Sequence, residues 1–323
     1  MHDRAHCLLT IAAAIIMALG ACPPTKGAAA MTNKVFKNVN QAYGAGRWFP
    51  ADPRALRTML EKDIESASPP AVTGRIIAAI APHAGYIYSG PVAAHVFRAL
   101  RDQARAGSAP ETVVILGFSH RQAFRGAAIM DGDAITTPLG VTALDRAAAQ
   151  TLAESRDKQR IFFDSRPHQG EHSAENLIPF VQATLPDAKL LPIIIGDHDP
   201  ETRNALISAL TRLAKDKTIT VLASSDMLHD ADYDKVTRTD RSTLEKVAAM
   251  QTSTVLKTWQ PSHQVFCGIA AVAVAMEFAA QQGCKRGMIL HYRNSGDDHP
   301  ESRGQWVVGY GAVAFPIDAT QSP

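Results

Sequence analysis

The chain has 323 residues, 46% of them hydrophobic and 20% charged, enough apolar material for one large buried core and too much for a disordered chain. Lys plus Arg number 33 against 31 Asp plus Glu, the two signs are interspersed, and aromatics make up 6%, so the basic stripe with interleaved aromatics that a nucleic-acid partner needs is missing. No fixed-period repeat and no Gly/Ser/Pro-rich linker interrupts the pattern after about residue 45, which implies one domain.

Residues 1–30 stand apart. An apolar run from Cys7 to Leu19 is too short to span a bilayer and has the length of a signal-peptide core. It runs into Leu19-Gly-Ala-Cys22, which resembles a lipoprotein cleavage box with Cys22 as the lipid-anchored residue. The other reading is a true start at Met31, since the charge before the run is weak. Export is the favoured expectation and implies a periplasmic or membrane-anchored protein; a start at Met31 implies a cytoplasmic one. The folded domain is expected over 31–323.

Asp52-Pro53 is a helix start, followed by Leu56, Leu60 and Ile64 on one face. Arg75-IIAAIA-Pro82 is a short continuous apolar run, the mark of a strand buried on both faces, and the segment from Gly90 is helical again. The same rhythm returns at Thr112-VVILG, at Leu190-LPIIIG before an Asp199-Pro200 helix start, and at Thr218-ITVLASS. Asn176 to Leu185 reads as helical. Gly287-MILHYRNS and Trp306-VVGYGAVAF are strands with no long helix between them. The expected fold is therefore α/β, a single domain with a mostly parallel or mixed sheet flanked by helices.

Three of these strands lead into a histidine: Pro82-His83, Phe118-Ser119-His120, and Ser224-Ser-Asp226-Met-Leu-His229. Ligands of open α/β sheets bind at the carboxyl ends of strands, so these loops can share one crevice. A lone histidine beside a strand is ordinarily a packing residue, and His95 is read that way. Histidine at the same place in successive βα units is an arrangement that metals need and packing does not. Cys267 supplies a third donor at the start of the apolar helix Gly268–Ala280, where backbone N–H groups favour the thiolate. About fifteen residues of helix, roughly 22 Å, separate Cys267 from Cys284, beyond the reach of a disulfide. Cys284 receives no functional role.

His172, next to Glu171, reads either as a proton-transfer group held by a carboxylate or as part of an acidic first helical turn. Asp226 and His229 read either as a pair orienting a ligand or as residues satisfying loop backbone. The other His/Asp clusters, 196–200, 230–234 and 296–300, carry turn composition and are left out of the site. A G-x-S-x-G elbow, a phosphate-binding P-loop, a G-x-G-x-x-G turn and an H-E-x-x-H helix are all missing.

The segments Ala45-Gly-Arg-Trp-Phe-Pro-Ala-Asp-Pro53, Ala81-Pro-His-Ala-Gly-Tyr-Ile-Tyr-Ser-Gly90, Leu116-Gly-Phe-Ser-His120, Glu171-His-Ser-Ala-Glu175, Ser224-Ser-Asp-Met-Leu-His229 and Cys267-Gly268 resemble the Memo family. Its bacterial members are called AmmeMemoRadiSam system protein B. The match runs in order from about residue 40 to 316. The resemblance implies a fold similar to class III extradiol dioxygenases, with His83, His120 and Cys267 on the family's metal positions, copper or iron as the metal, and His172, Asp226 and His229 lining the pocket. Dioxygenases of that fold use two histidines and a carboxylate, so a cysteine in the third place counts against ring cleavage and toward Cu(I) or zinc, with Fe(II) still open. The resemblance also implies intracellular relatives, genomic association with a radical-SAM protein and an AMMECR-type protein, and a peptide-binding role in animals. An exported copy departs from that setting. Three functions follow as expectations: a copper- or iron-dependent redox enzyme of unknown small-molecule substrate, a non-catalytic Cu(I)/Fe(II)-holding protein, or a protein-interaction module that retains the pocket.

Overall fold

The computed structural model describes residues 35–154 and 159–318; the leader with Cys22 lies outside them. After β1 (Val39–Gln41), helix α1 (Pro53–Ser66) begins where the Asp52 side chain accepts the Ala55 N–H and Pro53 takes the first helical position. β2 (Arg75–Ala81) and α2 (Tyr86–Arg105) form the first βα unit. α2 starts four residues before Gly90 and takes Pro91 into its interior. Tyr86 accounts for this: its buried ring packs on Phe49 and Phe180, and its hydroxyl donates to the Asn176 carbonyl at 2.7 Å.

β3 (Thr112–Phe118) is followed by four short strands that the sequence pattern does not announce, β4 (Ala127–Ile129), β5 (Ala134–Thr137), β6 (Gly140–Ala143) and β7 (Ile161–Phe163), with α3 (Arg146–Ala153) before the last. Then come α4 (Ile178–Thr184), β8 (Lys189–Ile195), α5 (Pro200–Asp216), β9 (Ile219–Ser224) and β10 (His229–Asp230). α6 (Tyr233–Ala248), α7 (Thr252–Thr258), α8 (Ile269–Gln281), β11 (Met288–Asn294), α9 (Ser295–Asp298) and β12 (Val307–Ile317) complete the described chain.

Among the described residues, nine strands make one sheet in the order β10-β12-β2-β9-β3-β8-β4-β7, with β11 paired to β12; β1, β5 and β6 make a small second sheet. β2, β9, β3 and β8 are parallel, while β12 and β4 run antiparallel to the neighbours that flank this centre, so the sheet is mixed. Alternate residues of the central strands face two separate cores. Val114, Leu116, Val221 and Ala223 pack under α5 and α8, whereas Val113, Ile115 and Leu222 pack under α1, α2 and α4. Burial on both faces is why these strands read as unbroken apolar runs. α8 is buried on almost every side, and its alanines let it approach the sheet closely. The α/β expectation holds.

Candidate metal centre

The register of the central strands assembles the centre. β9 lies between β2 and β3, with Ala81 opposite Ser224 and Leu116 opposite Ala223, so the three strands end side by side. Their carboxyl-end loops carry His83, Asp226 and His120. Cys267 joins them from the start of α8, where Gly268 makes the approach feasible: a Cβ there would lie 2.8 Å from the Ser224 carbonyl oxygen. His83, His120 and Cys267 each bring one donor atom to within 4.8 Å of the other two, and His83 Nε2 lies 3.3 Å from Cys267 Sγ.

Hydrogen bonds behind the imidazoles decide which nitrogen faces the centre. His120 Nδ1 lies 3.0 Å from Glu171 Oε1, and its backbone N–H donates to Oε2 of the same buried carboxylate at 2.7 Å. An acceptor at Nδ1 leaves Nε2 for the centre, the carboxylate–histidine arrangement that usually stands behind a metal ligand. His83 Nδ1 lies 3.0 Å from Ser224 Oγ. Asp226 ties both ligand segments: Oδ1 accepts the His83 and Ala84 N–H groups at 2.8 and 3.2 Å, and its carbonyl accepts the Cys267 N–H at 3.1 Å. Asp226 therefore orders the backbone under two of the three donors.

The charges reinforce one another. Burial alone would raise the Cys267 thiol, but the imidazoles of His83 and His120 outweigh it and hold it well below the ordinary thiol range. Burial would likewise lower His120, yet Cys267 and Glu171 push it up to about 10. Glu171, which burial would raise, is held at about 2 by His120 and by the N–H groups of Ser173 and His120. His172 goes the other way, to about 3, through burial and the charges of His83 and His120. It is the neutral imidazole of the group.

A cleft of about 770 Å³ opens over this centre and is lined by all six candidate residues together with Trp48, Tyr88, Trp306 and Tyr310. His172 stacks flat on Trp48, with centroids 4.2 Å apart, and meets His83 and His120 at 5.2 and 4.8 Å. His229 lines the cleft against Trp306 at 5.7 Å, and among the described residues its buried Nε2 has no hydrogen-bond partner. Glu171 serves His120 more closely than His172, whose Nδ1 is 3.5 Å away. Ser224, Glu171 and Trp48 were not singled out from sequence as site residues. The carboxylate beside His172 was the one available signal, and it pointed to the wrong imidazole.

Of the remaining residues, His95 bonds the Pro91 carbonyl at 3.0 Å and stacks on His291, a packing role. Cys284 and Cys267 are both free thiols. Asp197 and Asp199 surround the buried Arg160 guanidinium.

The profile of the family described as Memo-like protein matches residues 41–314. The chain belongs to the Memo family. A MEMO1 family protein of Methanopyrus kandleri is 32% identical over 286 residues, covering 84% of this chain and 96% of the relative. That of Archaeoglobus fulgidus is 31% identical over 275 residues, covering 84% and 98%. A solved structure of an uncharacterized protein from Escherichia coli K12 aligns at a TM-score of 0.46 with 15% identity, over 75% of this chain and all of that one. As a Memo protein, the chain carries its candidate metal-ligand group on segments that come together only in the fold.

The donor set also says what kind of ion fits. Two imidazoles and a thiolate are borderline and soft ligands, and the neighbouring carboxylates are engaged elsewhere, Glu171 with His120 and backbone N–H groups and Asp226 with the His83 and Ala84 N–H groups. Calcium and magnesium, which need oxygen ligands, do not fit; copper, iron and zinc do.

Proposed function

We propose that this Memo protein binds one copper or iron ion through His83 Nε2, His120 Nε2 and Cys267 Sγ, and that it is a redox enzyme of dioxygenase-like architecture acting on a small molecule in the cleft. The observation that carries this reading is the convergence of three donors, two with partners behind them, at the floor of a cleft far larger than an ion requires. Zinc fits the donors but supplies no redox chemistry. A bound copper or iron would supply the electron- and oxygen-handling chemistry that no side chain here provides. His172, whose ring faces both ligand histidines at the cleft, is placed to take a proton from a substrate hydroxyl or thiol and return it. Trp48 covers its outer face and shields it from bulk water. Asp226 holds the ligand backbones in place, and His229 offers a second polar group in the cleft lining.

Protein loaded anaerobically with Fe(II) or Cu(I) should consume oxygen with a catechol-like or thiol reductant. His172→Ala should keep its metal and slow that consumption by about 10²–10⁴-fold, the usual contribution of a general acid–base. Equal rates in the two proteins would contradict the role of His172.

A second reading has one observation in its favour: the third donor is a buried thiol held toward the thiolate, in the place where the resemblance to dioxygenases implies a carboxylate. Such a ligand favours holding Cu(I) or Fe(II) without turnover, and an exported, lipid-anchored chain would suit that task. Metal retained with no oxygen consumption under any reductant would select it.

A further inference from the structure

Ser224, the last residue of β9, lies wholly buried behind His83, and its hydroxyl has two neighbours of different character. One is His83 Nδ1 at 3.0 Å; the other is the backbone carbonyl of Ser173. A carbonyl only accepts, so the single hydroxyl proton goes to Ser173. The serine oxygen can then only accept from His83, and Nδ1 must carry hydrogen. His83 Nε2 is left as the nitrogen that meets Cys267 Sγ.

The connection continues beyond Ser173. Its N–H donates to Glu171 Oε1 at 2.9 Å, the same oxygen that His120 Nδ1 approaches at 3.0 Å, and its hydroxyl donates to the Phe118 carbonyl at 2.9 Å. Gly117 leaves room for that hydroxyl, because a Cβ at 117 would lie 2.4 Å from Ser173 Oγ. One buried residue thus joins the supports of both ligand histidines. The supports are unequal, an anionic carboxylate behind His120 and a neutral hydroxyl behind His83.

We infer that Ser224 is a positioning residue that locks His83 in the tautomer bearing hydrogen on Nδ1, through a hydroxyl committed to Ser173, and so presents Nε2 to the centre. The inference rests on the metal-binding reading for its purpose but not for its test. Alanine at 224 removes the acceptor while leaving Nδ1 buried, so His83 should shift its hydrogen to Nε2 or divide it between the two nitrogens. Either change lowers the fraction of His83 whose Nε2 lone pair is free for a metal.

The test uses the full chain with ¹⁵N-labelled histidine. In metal-free Cys267→Ser protein, where no thiolate retains a second proton, the two-bond ¹H–¹⁵N spectrum should show His83 protonated at Nδ1 and bare at Nε2. Adding Ser224→Ala should move or mix that pattern, and Ser224→Thr, which keeps the hydroxyl, should restore it. With Cys267 intact, Ser224→Ala should weaken Zn(II) binding, measured by chelator competition with zinc as a redox-silent probe, by about 10–100-fold. If Ser224→Ala does not fold, Ser224→Cys, a poor acceptor of similar size, gives the same comparison. A bare Nδ1 in the serine protein, or an unchanged His83 pattern in the alanine protein, overturns the inference. If the wild-type chain binds no metal, the proposed function fails while the spectrum still decides the role of Ser224.

Discussion

Glu171 acts from beneath His120, and removing its charge has consequences of determinate sign. In the metal-free chain its carboxyl is held at about 2 against an unfolded value near 4.3, so the stability it contributes is full above roughly pH 4.3 and is lost as pH falls toward 2. His120 is raised to about 10 against roughly 6.5; its contribution is full below about pH 6.5 and is lost as pH rises toward 10. The pair is therefore worth most between about pH 4.5 and 6.5. Because the His120 side chain is about a third exposed, solvent screening reduces the effect. Glu171→Gln should flatten the acid limb of a stability–pH curve measured by urea unfolding. It should also weaken metal binding by about 10–100-fold, since Gln still accepts from Nδ1 but carries no charge. Metal affinity unchanged in Glu171→Gln would show that the carboxylate does not tune the histidine.

At the scale of elements, α6 supports the Asp226–His229 loop beside the centre. Asp240, fully buried on α6, accepts the Leu228 N–H at 3.1 Å and the Tyr292 hydroxyl at 3.0 Å, which ties the Asp226–His229 loop to α6 and β11. Burial pushes its carboxyl up to about 8. The folded chain thus binds one more proton than the unfolded chain between about pH 4 and 8, and stability falls as pH rises through that window, by at most roughly 1.4 kcal/mol per pH unit. Asp240→Asn should remove that slope in thermal or urea unfolding and keep both hydrogen bonds. A slope that persists in the variant would assign it to another group.

Legibility in the sequence follows the same scale. β2, β3, β8 and β9 could be read because strands buried on both faces leave unbroken apolar runs, and His83 and His120 stood out because each follows such a run. β4 to β7 could not, since strands of three or four residues form only where the larger sheet or β1 receives them. α2 began earlier than Pro91 suggested because Tyr86 is anchored by Asn176, 90 residues away. The partners of the ligand histidines were hidden for the same reason: Glu171 is 51 residues from His120, and Ser224 is 141 from His83. Tertiary register, which no local spacing encodes, chooses those pairs.

For the whole molecule, the centre draws its donors from the ends of two sheet strands and the start of α8, so an ion there ties the sheet to a helix of the layer beneath it. Binding to the folded chain alone stabilises it by RT ln(1 + [L]/Kd), about 2.7 kcal/mol at a hundredfold excess over Kd. For a domain of this size, at about 2.1 cal/mol/K of unfolding entropy per residue, that corresponds to a rise in Tm of roughly 4–5 °C. The rise should appear with Cu(I), Fe(II) or Zn(II) under anaerobic conditions, should be missing with Mg(II), and should vanish in Cys267→Ser. Equal shifts with Mg(II) would place the ion elsewhere.

The most direct test is elemental analysis of the chain from Met31 onward, purified without oxygen, as wild type and as Cys267→Ser. The account predicts copper or iron near one per chain in the wild type and a marked fall in the variant. A wild type that stays metal-free after anaerobic loading with Cu(I) and with Fe(II), or a variant that retains the full metal content, would contradict it.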